Sequence, residues 1–182
     1  MDKNKDMLEL ILNRRSCRAY QPEVPSRSTL AAIVEAGRYA PSSRNRQMNK
    51  FYVITDPKVL SAISRISAEH LEGWAGKDCL YGAPVLVLVT NRRENICAFQ
   101  DSACAMENMM LAAASLGVGS CWLNQPFHLR DHEAMLALLD SIGVSREEVA
   151  CGSLALGYPK GALFPGRQTI RGNAMVWVTG EE

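Results

Sequence analysis

The sequence predicts an α+β chain in which helices cover a small sheet. Three observations carry that expectation. "PVLVLVT" at 84–90 is a continuous apolar run, the mark of a strand covered on both faces. "SACAMENMMLAAASLG" at 102–117 is apolar nearly all round, as a central buried helix is. Elsewhere, helical and strand patterns alternate, giving three or four strands.

Taken in order, Met7 to Asn13 reads as a short helix ending at a group of arginines. Ser26 or Ser28 is placed to cap a second helix, with Leu30, Ile33, Val34 and Gly37 as its apolar stripe and Pro41 as its stop. "KFYVIT" at 50–55 is rich in aromatic and β-branched residues and reads as a strand. Asp56-Pro57 opens a helix with proline in its first turn. The buried strand at 84–90 follows. Asp101 is the expected cap of the Ala- and Met-rich helix, and Gly117 its end. "GSCWLN" at 119–124 reads as a strand, and "DHEAMLALLDSIG" as an amphipathic helix closed by Gly143. "ACGSLALGYP" reads as a further buried strand, and "AMVWV" as a last short one. Ser67 to Gly82 fits neither period. A lid or a plain surface loop both suit it, the plain loop slightly better.

At 182 residues the chain suits one domain spanning 1–182. Its formal net charge is +1, less basic than a general nucleic-acid binder, and no aromatic-basic stripe is present. No apolar run approaches the ~20 residues of a membrane helix, and the polar start "MDKNKDMLEL" lacks the core of a secretory signal. The six cysteines show no CxxC or metal spacing. Cys104, Cys121 and Cys151 sit in apolar sequence as small hydrophobes. A reduced, cytoplasmic protein is expected, with no membrane or nucleic-acid partner.

Three segments are candidates for a binding site. "NRRSCRAYQP" at 13–22 groups Arg14, Arg15 and Arg18 around Ser16. Guanidinium forks and a hydroxyl suit a phosphate monoester, although a solvated basic helix end has the same look. "APSSRNRQMNKF" at 40–51 offers neutral donors and acceptors suited to a polar aromatic ring, or simply turn formers. "LGVGSCW" at 116–122 has glycines that let a backbone approach a flat ligand, or that cap a helix. Cys17 among the arginines is a candidate redox thiol. His128 and His132 are four apart, but no third metal ligand is evident, so no metal is expected. Met106, Met109 and Met110 read as core.

"RRSCRAY", "APSSRNRQ", "DSACAMENMMLAAASLGVGSCW" and "LALGYPKG…PGRQ" occur in this order and at fitting separations from about Met7 to Arg171. Together they closely resemble the nitroreductase family of FMN-dependent oxidoreductases. The resemblance implies a small, mostly antiparallel sheet covered by helices, in an entwined homodimer with FMN at each subunit interface. It assigns Arg14, Arg15, Ser16 and Arg18 to the FMN phosphate, with Arg167 completing that site. It places Pro41, Ser42, Ser43, Asn45 and Gln47 beside the flavin, and Val118, Gly119 and Ser120 along the isoalloxazine. Met48-Asn49-Lys50-Phe51 departs from the family's usual Pro-aromatic or Pro-Gln run. Arg171-Gly172-Asn173 replaces its usual polar, charged run.

The activity implied is ping-pong transfer. NADH or NADPH gives hydride to flavin N5 and leaves, and a small-molecule electron acceptor such as a nitro compound or quinone takes its place. No side chain is assigned as catalytic acid or base. Either Arg44 or Arg46 is the cation nearest the ring edge. The rival readings are a specialised member, such as a reductive dehalogenase or enoate-type reductase, and a non-catalytic FMN carrier or sensor.

Overall fold

The computed structural model describes residues 3–178 other than Pro165 and Gln168, with side chains from residue 7 onward. The elements in chain order are α1 (Lys3–Asn13), α2 (Arg27–Arg38), β1 (Lys50–Ile54), α3 (Pro57–His70), β2 (Val85–Arg92), α4 (Ala98–Ser115), β3 (Gly119–Leu123), α5 (Gln125–His128), α6 (Glu133–Ser141) and β4 (Glu148–Gly157). A 3-10 turn, Ser43–Asn45, lies between α2 and β1.

The four strands form one sheet in the order β1-β2-β4-β3, and every pairing is antiparallel. β2 and β4 are central and buried almost end to end. Alternation along them feeds two cores. Val85, Val87, Val89, Leu154 and Leu156 meet Leu30 and Ile33 of α2 and Met106, Met109 and Met110 of α4. Leu86, Leu88 and Ala155 face the other way, onto Leu60 and Ile63 of α3 and Met135 and Leu139 of α6. Apolar strands that face helices on both sides need no polar face, which is why "PVLVLVT" reads as one uninterrupted run.

Local chemistry sets the ends. Ser26 accepts from Thr29 N to cap α2, and Asp56 accepts from Lys58 N to cap α3. Gly117 and Gly143 adopt φ of 76° and 84° just past α4 and α6.

Several expectations need correction. Asp101 lies inside the first turn of α4; the helix begins at Ala98, after Cys97. "AMVWV" forms no strand: residues 174–178 pair with no strand among the described residues, and Met175, Val176, Trp177 and Val178 are exposed. Cys104 is exposed on α4, whereas Cys121 and Cys151 are buried. Burial pushes both of those thiols up. Ser67 to His70 complete α3, so the irregular segment starts at Leu71. Asp78 organises it by accepting from Ser64 Oγ, Leu80 N and Gly82 N at 2.7–2.9 Å, which buries Cys79 and Leu80 beneath.

Candidate functional site

The arginine segment is stapled on two sides. Ser16 bridges Ser120 in parallel, and Cys17 N donates to Ser120 O at 2.8 Å. Three residues later Tyr20 bridges Pro159, Gln21 N donates to Tyr158 O, and Lys160 N donates to Ala19 O. Residues 16–21 therefore run between the start of β3 and the end of β4. Tyr20 is the internal pin. Its hydroxyl donates to Cys17 O at 2.7 Å, and burial keeps the phenol protonated far above its ordinary range.

The approach to β3 requires glycine. A Cβ on Gly119 would stand 2.8 Å from Cys17 Cβ and 2.9 Å from its sulfur. The close neighbour that excludes a side chain here is the arginine segment itself. The Val118 side chain is wholly buried in the core, and the backbone carbonyl of Ser120 is taken by Cys17 N.

A cavity of about 320 Å³ opens beside this segment, lined by Arg15, Ser16, Cys17 and Arg18 and, past the end of β4, by Pro159, Gly161, Ala162 and Leu163. Arg15 Nη1 donates to Leu12 O and Arg14 O, but its Nη2 is buried with no partner among the described residues. Arg14 Nε lies 3.7 Å from Glu107, and its Nη1 is likewise buried and unpartnered. Buried donors are almost always satisfied, and an orphaned charged one is costly. The cavity itself is lined by two guanidinium side chains, Arg15 and Arg18, and a hydroxyl, Ser16, a donor set that fits a phosphate group. Arg18 lies over the Tyr81 ring at 5.9 Å, and Tyr81 meets Trp74 edge-on, so the 71–82 loop borders the arginines. Arg167 does not line this cavity; its guanidinium pairs with Glu9 on α1.

The second candidate segment lies elsewhere. Pro41, Ser42, Asn45 and Gln47 line a cavity of about 620 Å³ together with Gly37, Asn49 and Phe51. Ser42 Oγ accepts from Gln47 N at 3.0 Å, and Gln47 Nε2 donates to Asn45 Oδ1 at 2.9 Å, so the loop closes on itself. Arg44, Asn45 and Gln47 all have φ near +53°, rare for residues with a Cβ. Three such residues in four positions mark a constrained functional loop. Ser43 faces away from this cavity; its amide donates to Asp101 Oδ1 at 2.9 Å.

The two cavities share no lining residue. The loop meets α4 at its first turn, through Asp101, while the arginine segment sits just past its last turn, at Ser120. At 1.5 Å per residue the two ends of the helix lie about 20 Å apart, and Arg14 reaches Glu107 between them.

Two polar clusters were not read as site features in the sequence. Asn49, Asn91, Asn95, Asp101 and Ser102 form one hydrogen-bonded group beneath the loop. Glu148 is buried and held by Lys50 Nζ at 2.6 Å, Thr90 Oγ1 at 2.5 Å and Tyr52 hydroxyl at 3.1 Å. Burial raises its pKa, but these three donors outweigh that and hold the carboxyl below its ordinary value. The available signal was an acid at 101 opening an otherwise apolar helix and one at 148 opening an apolar strand. His128 and His132 do not share a helix; His132 stacks on His70 at 4.1 Å. Among the described residues no three His, Cys, Asp or Glu side chains could hold a metal.

Comparison with known proteins bears on the family and the fold. A protein of Archaeoglobus fulgidus, provisionally named an NADH dehydrogenase/NAD(P)H nitroreductase, is 31% identical over 161 residues, covering 86% of this chain and 87% of its own. A Bacteroides fragilis nitroreductase crystallised with bound FMN superposes with a TM-score of 0.86 at 35% identity, covering 95% of this chain and 99% of its own. A Desulfitobacterium hafniense nitroreductase shares the fold at a TM-score of 0.83, with 22% identity and 96% and 98% coverage. The model of the nitroreductase family matches residues 11–158, and the chain belongs to that family.

Proposed function

We propose that the protein is an FMN-dependent oxidoreductase that takes hydride from NADH or NADPH and reduces nitro compounds, quinones or similar acceptors by turns at one site. The observation that carries the reading is the arginine segment at the β3–β4 end, where Arg15, Ser16 and Arg18 line the cavity and Arg14 and Arg15 each keep a buried guanidinium nitrogen without a partner among the described residues. Arg14, Arg15, Ser16 and Arg18 hold the phosphate. Arg167 is its remaining cation only after release from Glu9. FMN supplies hydride acceptance and donation. The chain positions it, and water supplies protons.

In one copy the 41–47 loop and the arginine segment line separate cavities. A homodimer resolves this: the loop of one copy faces the arginine cavity of the other. Exposed apolar side chains support such an interface, with Met7, Leu8, Ile11 and Leu12 on α1 and Met175, Val176, Trp177 and Val178 near the chain end. Such an accumulation of apolar surface suits a partner more than solvent.

The test is spectroscopic. The protein is loaded with FMN, desalted and titrated anaerobically with NADH and then NADPH. Flavin absorption that survives desalting and bleaches on addition is the expected result. Absence of retained flavin would overturn the reading. Retained flavin that neither nicotinamide bleaches would leave a binding protein in place of an enzyme. Sedimentation should give a species of twice the chain mass.

A further inference from the structure

The loop with three left-handed residues is fastened at both ends to one turn of α4. At its start, Ser43 N donates to Asp101 Oδ1 at 2.9 Å. At its end, Asn49 Nδ2 donates to Asp101 O at 3.1 Å, and Asn49 Oδ1 accepts from Ser102 Oγ at 2.8 Å and Asn91 Nδ2 at 2.7 Å. The Asp101 carboxylate is itself aimed. Its Oδ2 accepts from Asn95 Nδ2 at 3.1 Å, and Asn95 Oδ1 accepts from Cys97 N where α4 begins. Asp101, Ser102, Asn91 and Asn95 are all buried, so water does not compete for these bonds.

We propose that Asp101 is a positioning residue which, with Asn49, holds the 42–47 loop in its left-handed conformation and so pre-forms one wall of the cofactor site. The left-handed backbone costs free energy at Arg44, Asn45 and Gln47, because each carries a Cβ. The loop's internal bonds, Gln47 N to Ser42 Oγ and Gln47 Nε2 to Asn45 Oδ1, close it without anchoring it. The anchor comes from the charge-assisted bond at Ser43 and from the three bonds on Asn49. Asn49 also lines the 620 Å³ cavity, so one side chain joins the anchor to the wall. The departure from the family pattern at position 49 then has a use: an amide there ties the loop exit to Asn91 at the end of β2. The ligand's identity rests on the flavin reading; the fastening does not.

The experiment compares Asp101→Ala, Asp101→Asn and Ser43→Pro with the unaltered protein. Two quantities are read: amide hydrogen exchange at 43–47 in flavin-free protein, and FMN affinity by fluorescence quenching. Asp101→Ala removes the acceptor. Exchange in the loop should rise, and FMN affinity should fall about 10- to 100-fold, as loss of a bond to a charged group implies. Asp101→Asn keeps an oxygen for Ser43 N–H and sets its amide against that of Asn95. It should restore loop protection and FMN affinity to within about threefold while α4 starts less stably. Ser43→Pro deletes the donor and leaves α4 untouched, so it decides the matter if Asp101→Ala fails to fold. Unchanged loop exchange in both Asp101→Ala and Ser43→Pro would overturn the proposal. Faster exchange with unchanged FMN affinity would overturn it too. Faster exchange in a protein whose unaltered form binds no FMN would uphold the positioning role and defeat only the flavin reading.

Discussion

Replacing Gly119 by alanine tests how the arginine segment is mounted. The added methyl would stand 2.8 Å from Cys17 Cβ, 2.9 Å from Cys17 Sγ and 3.3 Å from Gly157 O, whereas ordinary contact begins at 3.4 Å. Gly119 has no left-handed φ, so the cost is steric alone. Overpacking of this kind costs about 1–3 kcal/mol, and lengthening the Cys17 N to Ser120 O bond adds to it. A loss of about 2 kcal/mol corresponds to a fall in Tm of about 4–8 °C for a chain of this length. Cys17→Gly removes the two shortest contacts and leaves only Gly157 O. In that background Gly119→Ala should cost less than about 1 kcal/mol, a coupling of about 1 kcal/mol or more. The assay is urea unfolding of the four proteins of this cycle, flavin-free and at one protein concentration. The same Gly119→Ala protein should also bind FMN more weakly, because the arginines move with Cys17. Equal cost in both backgrounds would refute the view that Cys17 is what Gly119 accommodates.

Other outcomes follow from the same geometry. Arg14→Met with Arg15→Met removes two orphaned buried donors, so flavin-free stability should hold or rise while FMN retention is lost; a fall in stability with retained FMN would contradict the assignment. Glu148→Gln should cost about 1–3 kcal/mol at pH 7. The Glu148 carboxyl is held below its ordinary value in the folded protein, so its contribution is present above the carboxylate range and lost as pH falls through the folded pKa. Urea unfolding at pH 7 and near pH 3 should therefore show the gap to Glu148→Gln closing in acid, and a constant gap would count against the coupling. Leu154→Ala opens a cavity at the centre of the sheet and should cost about 2–5 kcal/mol by the same unfolding assay.

Much of the fold is legible in the sequence because its signals are local. The caps at Ser26 and Asp56, the glycine stops at 117 and 143, and the uninterrupted run through Val85–Val89 each depend on neighbours a few residues away. The misreadings have one physical cause. Asp101 has the sequence of a cap, but Asn95 takes the amide at the helix start, leaving Asp101 free to hold Ser43. "AMVWV" has strand composition, but composition supplies no partner strand, and its side chains lie exposed.

For the site, the sequence by itself determined which segments are candidates to bind a ligand. The arginine, Pro-Ser-Ser and glycine motifs are contiguous, and their donors and acceptors are intrinsic to the residues. Only the tertiary structure decided which of them meet. It brought the arginines to Ser120 and Pro159, set the 41–47 loop at the far end of α4, and turned Arg167 to Glu9. It also assembled Asn49, Asn91 and Asp101 beneath the loop and Lys50, Thr90 and Glu148 beside it. These partners lie tens of residues apart. Which donor meets which acceptor depends on the register of β1, β2 and β4 and on where α4 crosses them, and no local pattern of residues encodes that.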